Sequence, residues 1–313
     1  MSNFDIYCDS GANIPEEVIK KHDIKVIPFT LTVGGKEIVC ANYDRPYSEI
    51  AKQFYDDMRN GAEVKTSLTS AESIIEALKP SLENGRDVLA TFISSGISGS
   101  FNQAKEAKAQ LEKLYPERKI FVCDSANASM GEGLQTLQAA NLRDMGESVA
   151  TCAEWIENNA YNFNSFLTVG DLKYLRKTGR ISTTLAIAGT ILNIKPVLKA
   201  DGGTNAKIVF FDKARGRKKA IAALAEAYAK NAIDPASHVA SICHADSEDD
   251  ALALADMIKA LGAKDVIINY YDMCTGSHVG PGTVALFFYG TDRQSEAKPE
   301  KGKLFRKTAK QAT

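Results

Sequence analysis

The sequence predicts an α/β protein: a mostly parallel sheet flanked by helices, followed by an α+β part with a largely antiparallel sheet. In the first half, short apolar segments alternate with helical patterns. Such alternation pairs strands in parallel through right-handed crossovers. In the second half, a hairpin pattern precedes amphipathic helices, which is typical of an antiparallel sheet. A chain of 313 residues has room for two domains of about 150 residues each.

Residues 1–160 are expected to form the parallel domain. Its predicted strands are "FDIYCDSG", "IKVIPFTLTV", "DVLATFIS" and "KIFVCDS". Its predicted helices are "NIPEEVIKKH", "SAESIIEALKPSLENG", "NQAKEAKAQLEKL" and "GEGLQTLQAANLRDMG". In the third helix, Ala104, Ala107, Leu111 and Leu114 recur every three or four residues, so we expect this stripe to pack inward. Ligands of parallel sheets bind at the carboxyl ends of strands, so the polar turns there are candidate binding loops.

Residues 161–290 are expected to form the α+β domain. It opens with "FLTVGDLKYLRKTGRIS", a strand followed by a basic helical segment, and continues with the hairpin "ILNIKPVLKADGGTNAKIVFF". An amphipathic helix, "ARGRKKAIAALAEAYAKN", and a helix capped by Ser247 follow, and "DVIINYY" and "TVALFFYG" are further strands. Residues 291–313 form a tail with seven basic and three acidic side chains, which we expect to be exposed and mobile.

Composition excludes several classes of protein. The 38 basic and 39 acidic residues leave a net charge of −1, so no global field favours nucleic acid or a membrane surface. The first residues lack the pattern of a signal peptide, and no run of 18 apolar residues is present. We therefore expect a cytoplasmic protein. The six cysteines form no CxxC pair and the four histidines show no metal-binding spacing, so we expect buried thiols, no metal and no cofactor.

The segment "SSGISGS", residues 94–100, joins an apolar strand to a helix. It matches neither phosphate-binding glycine pattern, and a nucleophile elbow around Ser98 would need glycine where Ser100 stands. Backbone N–H groups and the hydroxyls of Ser95 and Ser98, with Gly96 between them, could instead hold an anion. The alternative is a serine-rich turn that bonds only its own backbone.

Three other groups could contribute to a site. In "TSLTS", Thr69 or Ser70 is a natural helix cap, which leaves Thr66 and Ser67 unexplained. In "GSHVGPG", His278 precedes Gly280 in a Gly-Pro-Gly loop, where it is either structural or a ligand contact. The remaining group is basic and comprises Arg176, Lys177 and Arg180. It is either a solvated helix end or a docking face for an acidic or phosphate-bearing partner.

The chain resembles the DegV family. The matching segments are "DSGANIP", "TSLTS", "SSGISGS", "VCDSANAS", "GDLKYLRKTGRIS", "LNIKPVL", "RKKAI" and "HVGPGTVALFF", in family order from Asp9 to Gly290. The resemblance implies two domains with a long-chain fatty acid bound between them. It also implies a non-catalytic role as the lipid-binding subunit of a bacterial fatty-acid kinase, whose separate ATP-dependent subunit phosphorylates the bound carboxylate.

Carried onto this chain, the resemblance places the carboxylate contacts on Thr66 and Ser98, with His278 close to the head group. Neutral donors can fix a carboxylate at about 1 kcal/mol each, and more when the acceptor is charged. Two alternatives stay open. One is a serine hydrolase or acyltransferase that uses Ser98, with His278 or His244 as the base. The other is a lipid-sensing or protein-interaction module that needs no kinase.

Overall fold

A computed structural model describes residues 4–40, 43–181, 193–203 and 206–296. The strands are β1 (Phe4–Asp9), β2 (Ile24–Ile27), β3 (Thr30–Val33), β4 (Lys36–Val39), β5 (Val64–Ser67), β6 (Asp87–Phe92), β7 (Ile120–Asp124), β8 (Phe163–Thr168), β9 (Ile194–Ala200), β10 (Ile208–Arg215), β11 (Val239–His244), β12 (Asp265–Tyr270) and β13 (Val284–Tyr289).

The described residues also form α-helices. They are α1 (Glu16–Lys21), α2 (Tyr47–Arg59), α3 (Ala71–Glu83), α4 (Ser100–Leu114), α5 (Met130–Asp144), α6 (Val149–Asn159), α7 (Lys173–Thr178), α8 (Arg217–Asn231), α9 (Glu248–Ala260), α10 (Met273–Val279) and α11 (Arg293–Glu296). Within the described ranges, no helix combines the length and the hydropathy that crossing a bilayer requires.

The strands form three sheets. The parallel sheet has the order β2-β1-β6-β7, and each neighbouring pair runs in parallel. The mixed sheet has the order β10-β9-β8-β13-β11-β12, in which β11 and β12 are parallel and the other pairs are antiparallel. The predicted fold class is therefore confirmed: an α/β chain with a parallel sheet first and a largely antiparallel sheet after it.

A third, small sheet with the order β4-β3-β5 is antiparallel, and the sequence did not predict it. The expected single strand "IKVIPFTLTV" is wrong, because Pro28 divides it into β2 of the parallel sheet and β3 of the small sheet. Proline lacks the N–H that a continuing ladder needs. This division matters for function, because β5 carries Thr66 and pairs with β3 at Leu31.

Apolar side chains fill three clusters around these sheets. One lies between the parallel sheet and α3 and α4, where Ile74, Val88 and Leu111 are fully buried. Another lies between the mixed sheet and α8 and α9. The largest joins the two sheets and includes residues of α2, α5 and α6. The predicted stripe on α4 is buried except at its end: Leu114 is 66% exposed, because it is the last residue of the helix.

Local predictions met mixed outcomes. Ser70 caps α3 by accepting a hydrogen bond from the Ser73 backbone N–H, as the sequence predicted. Ser247 occupies the N-cap position of α9, but its side chain makes no capping hydrogen bond there. All six cysteines are buried free thiols, as expected. The division into domains at residues 160 and 161 stays a prediction, and residues 297–313 of the predicted tail lie outside the described residues.

Candidate functional site

An interior cavity of about 240 Å³ lies between the face of the mixed sheet and the loops that follow β5 and β6. Alternate residues of a strand point to the same face, so Ser165 and Leu167 of β8 both line it, as do Ala285 and Phe287 of β13. Apolar side chains from other elements also line the cavity: Phe29, Ile93, Ile97, Leu175 and Val279. Most of this surface can therefore accept only an apolar occupant.

Thr66 and His278 lie in the cavity wall and are bonded to each other. The Thr66 hydroxyl Oγ1 and the His278 ring nitrogen Nε2 are 3.2 Å apart. The sequence placed His278 in a loop, but it lies in the last turn of α10. Gly280 ends that helix with a φ of 80°, and a Cβ on it would lie 2.1 Å from the Tyr174 ring, so glycine is required there for backbone reasons.

The electrostatics of His278 favour the neutral ring. Burial, reinforced by the positive charge of Arg180, lowers the pKa of His278 from 6.5 to about 4. Its other ring nitrogen, Nδ1, is buried and has no hydrogen-bond partner within the described residues. A buried polar atom without a partner costs free energy, which a hydrogen bond from an occupant that reaches it would recover.

Ser98 borders the same cavity from the segment before α4. Its hydroxyl lies 3.0 Å from the Ser100 hydroxyl and accepts a hydrogen bond from the Ser100 backbone N–H at 3.2 Å. A Cβ on the next residue, Gly99, would lie 3.2 Å from the Leu68 side chain. The "SSGISGS" and "TSLTS" segments are thus in contact, and Ser67 also lines the cavity.

Three sequence-predicted residues do not line the cavity, namely Ser95, Gly96 and Gly280. Ser95 instead donates its hydroxyl to Asp124 Oδ2 at 2.5 Å, a contact between the ends of β6 and β7. The Gly96 backbone N–H donates to the Ser94 hydroxyl at 3.1 Å. This part of the segment stabilises its own turn, and the half beginning at Ser98 faces the cavity.

No histidine is hydrogen-bonded to Ser98 in the part of the chain that the structure describes. His278 is bonded to Thr66. His244 accepts a hydrogen bond from the Ser247 backbone N–H at its Nδ1 and does not line the cavity. The geometry therefore gives no support to a Ser98 nucleophile, which needs a base within hydrogen-bonding reach.

The basic group divides in two. Arg176 and Lys177 are exposed on α7, whereas Arg180 is half-buried and lines the cavity. The Gly179 turn between them, with a φ of 70°, redirects the chain so that Arg180 meets β10, where its carbonyl accepts from the Ile208 N–H at 3.1 Å. The sequence grouped Arg180 with the docking residues, and its place in the cavity wall was missed.

A family model described as "uncharacterised protein, DegV family" matches residues 3–291 of this chain. The chain belongs to the DegV family. A DegV domain-containing protein of Clostridium perfringens is 33% identical over 297 residues, which cover 94% of this chain and all of the relative.

Solved DegV structures share the fold. A fatty-acid-binding DegV family protein from Thermus thermophilus is 25% identical, with a TM-score of 0.80 over 92% of this chain and 100% of its own. DegV of Bacillus subtilis, a fatty acid binding protein, is 27% identical, with a TM-score of 0.75 over 93% of this chain and 100% of its own.

Polar residues of the DegV chain that were not predicted also line the cavity, among them Asn127 and Ser129. Both belong to the segment "CDSANAS" after β7, whose position at a strand end was the signal that could have found them. Their polar atoms bond within the protein: Asn127 accepts from the Ser165 hydroxyl at 2.6 Å, and Ser129 donates to the Cys243 sulfur at 3.3 Å. They need no polar partner from an occupant.

The described residues contain no group of three or more His, Cys, Asp or Glu side chains that could hold a metal ion. Besides His278, the polar side chains that line the cavity include neutral hydroxyls and the guanidinium of Arg180. Such a set suits an anionic oxygen ligand.

The His278 ring should stay neutral at pH values well below the ordinary pKa of histidine. In lipid-free protein, an NMR titration should give a pKa near the value of about 4 that burial and Arg180 impose. Arg180→Met should raise this pKa only part of the way to 6.5, because burial is the larger cause. A wild-type ring that titrates near 6.5 would contradict the burial described above.

Proposed function

We propose that this protein binds one long-chain fatty acid in the cavity, fixes its carboxylate with Thr66, Ser98 and His278, and presents it to a separate ATP-dependent kinase subunit in the bacterial cytoplasm. The single observation that carries this proposal is the bonded pair of Thr66 and His278 in the wall of a mostly apolar cavity. The fatty-acid-binding function of the Thermus thermophilus and Bacillus subtilis relatives supports it.

The apolar wall supplies most of the affinity. Each methylene that leaves water contributes about 0.8 kcal/mol, so a dozen contribute roughly 10 kcal/mol before the costs of association. Ile93, Leu167 and Phe287 are nearly or fully buried wall residues that can replace water around such a chain. The tail determines how tightly the ligand binds, and the head group determines its direction.

The head group is oriented by groups that lack partners or can exchange them. The Nδ1 atom of His278 is unpartnered in the described residues, and the Ser98 hydroxyl is paired only with its neighbour Ser100. Thr66 and Ser67 contribute further hydroxyls from β5. A hydrogen bond from a neutral donor to a charged acceptor contributes about 1.5–3 kcal/mol.

Arg180 adds a charge that this arrangement had not been expected to include. Its position in the cavity wall lets it attract the carboxylate and, more strongly, the acyl phosphate that a kinase would form, because a phosphate carries more charge. Arg176 and Lys177 are exposed one helical turn earlier. We assign Arg176 and Lys177 to kinase docking, and we assign Arg180 to attraction of the head group in the cavity wall.

The protein itself has no role as an enzyme in this proposal. Ser98 has no histidine base in hydrogen-bonding contact within the described residues, so covalent catalysis through it lacks its activating partner. The phosphoryl transfer, with its nucleotide and metal ion, belongs to the kinase subunit. This chain contributes binding, orientation and access to the carboxylate.

Purified protein should carry a long-chain fatty acid. Organic extraction followed by mass spectrometry should release about one fatty acid per chain, because the apolar wall retains the ligand through purification. Native mass spectrometry of the same sample should show the matching added mass. Protein that carries no lipid and takes up none when long-chain fatty acids are added would disprove the proposal.

Removal of two head-group contacts should weaken binding more than it weakens the fold. Thr66→Val with Ser98→Ala should raise the Kd for a fatty acid by about a hundredfold or more, because two hydrogen bonds to a charged acceptor, at about 1.5 kcal/mol or more each, are lost. Titration calorimetry measures the Kd, and urea unfolding measures stability.

Ser70→Ala is the matched control for that double variant. It removes the cap of α3 and should cost about 1 kcal/mol of stability, with fatty-acid binding unchanged. Equal fatty-acid affinity in wild type and the Thr66/Ser98 double variant would show that the carboxylate is held elsewhere.

Charge reversal on α7 should separate docking from lipid binding. Arg176→Glu with Lys177→Glu should reduce acyl-phosphate formation by the cognate kinase and its salt dependence, while the lipid content stays that of wild type. Lys218→Glu with Lys219→Glu reverses the charges of an exposed lysine pair on α8 and should leave acyl-phosphate formation unchanged. Equal effects of the two double variants would remove α7 from the docking surface.

A further inference from the structure

Behind the cavity wall, the segment after β1 is joined to the start of α10 by buried polar groups. The Asn13 side chain donates to Asp272 Oδ2 at 3.1 Å, and its Oδ1 accepts from the Asp272 backbone N–H at 2.5 Å. Asp272 also caps α10, because its Oδ1 accepts from the N–H groups of Cys274 and Thr275 at 2.5 and 2.9 Å. This contact links the parallel sheet to the helix that carries His278.

Two more carboxyls are buried beside this contact. Asp9 and Glu132 are both 0% exposed. Asp9, the last residue of β1, accepts hydrogen bonds from the backbone N–H groups of Gly11 and Ile93, each at 2.9 Å. Glu132, in the first turn of α5, has neither carboxyl oxygen in a hydrogen bond within the described residues. A buried carboxyl without partners is kept protonated, because its ionised form pays the full cost of lost hydration.

The charged groups that act on Glu132 are all acidic: Asp9, Asp124 and Asp272. The thiols and phenols packed around the cluster have pKa values raised above the ordinary range, chiefly by burial, and are neutral: Cys8, Cys40, Tyr43, Tyr47, Tyr55, Cys243, Tyr271 and Cys274. The positive charge of Arg180 lowers the pKa of Cys274, against the larger effect of burial. The carboxyls thus face one another, an arrangement that favours retained protons.

Burial raises the pKa of all three carboxyls, and neighbouring acids raise it further at Asp9 and Glu132. The pKa of Asp272 rises to about 6 and that of Asp9 to about 7, with burial as the larger cause in each. The pKa of Glu132 rises well above its ordinary value of 4.5 for the same reason, with Asp9 as the largest acidic contribution. Separation of the two segments would hydrate these groups and return them toward ordinary values.

The cluster is adjacent to the cavity. A Cβ on Gly11 would lie 2.7 Å from the Phe29 ring, 2.8 Å from Asp9 Oδ1 and 3.3 Å from the Thr275 methyl group. Phe29 and Thr275 both line the cavity. Any separation of Asn13 from Asp272 therefore parts two pieces of the cavity wall.

We propose that the Asp9–Asn13 segment, Glu132 and the Asp272 cap of α10 form a proton-dependent latch, which holds two sides of the cavity wall together while the carboxyl cluster keeps its protons and lets them part when the protons are lost. The latch goes beyond lipid binding, and it rests on the proposed function only where ligand exchange is measured. Loss of a proton leaves like charges beside Glu132, on which none of the described cations acts, and opening relieves the repulsion by admitting water.

The direction of the pH dependence follows from the raised pKa values. The closed native state holds protons that the open or unfolded chain loses between its ordinary pKa of about 4 and the native values. The stability of the closed state is therefore fully present at low pH and is lost as the pH rises through the native pKa values of Asp9 and Glu132. At about pH 6.5 and above, the Asp272 cap is mostly ionised, so the change in this range comes from Asp9 and Glu132.

Release of a ligand that does not titrate tests the latch. Radiolabelled hexadecanol has an acyl-length chain and no carboxylate, so its own ionisation cannot produce a pH slope. Wild-type protein should release it about tenfold faster at about pH 8.5 than at about pH 6.5, the change expected for one pKa unit. Glu132→Gln mimics the protonated side chain and should release it slowly at both values. Glu154→Gln, at an exposed position of α6, should behave as wild type.

A second variant breaks the latch without touching a carboxyl. Asn13→Ala removes the contact to Asp272 and should release hexadecanol rapidly at both pH values. An unchanged pH slope in Glu132→Gln, or slow release at about pH 6.5 in Asn13→Ala, would overturn the proposal.

Urea unfolding of ligand-free protein gives a readout that does not depend on lipid binding. Between about pH 6.5 and about pH 8.5, wild type should lose stability relative to Glu132→Gln. If neither a long-chain fatty acid nor hexadecanol binds but this difference is found, the lipid proposal fails and the latch stands. If hexadecanol binds and the two proteins show the same pH dependence of stability, the latch fails and the lipid proposal stands.

Discussion

The hydrogen bonds between Asn13 and Asp272 are the contact on which the cavity depends. They tie the end of β1 to the first turn of α10, and α10 in turn sets the position of His278. A seven-residue helix such as α10 has little stability of its own, since isolated helices of that length do not form in water. Its position is maintained by the Asp272 cap and by the backbone carbonyl of Tyr271, which accepts hydrogen bonds from the hydroxyls of Tyr47 and Tyr55 on α2.

The sequence predicted the parallel sheet, and it singled out Thr66, Ser98 and His278, which line the cavity, because those features depend on local pattern. Strand-then-helix alternation is visible in windows of ten to twenty residues. The hydroxyls of Thr66 and Ser98 stand out because a simple helix cap did not account for all of them. Their meeting with His278 was implied by the family resemblance. It depends on strand pairing between distant segments, which no local pattern contains.

Other features were missed for identifiable reasons. The small sheet is built from short strands whose pairing is set by tertiary contacts, and Pro28 was included in a longer strand on the strength of its β-branched neighbours. Arg180 was grouped with Arg176 and Lys177 by proximity in sequence, but the Gly179 turn separates them in space. Ser95 was grouped with Ser98 in the same way, and its hydroxyl is bonded to Asp124. Both errors concern the direction of a side chain. Residue spacing in the sequence does not give that direction where the chain turns.

The bond between Thr66 and His278 has a consequence for the form of the head group. A neutral imidazole carries a single proton, so the tautomer at Nε2 fixes what Nδ1 can offer. When the Thr66 hydroxyl donates to Nε2, the proton lies on Nδ1, which then suits an ionised carboxylate as acceptor. When Nε2 donates to Thr66, Nδ1 offers a lone pair to an un-ionised acid. A shift of the ring proton from one nitrogen to the other, together with rotation of the threonine hydroxyl, adapts the same ring to either protonation state of a carboxylic acid, with no movement of heavy atoms.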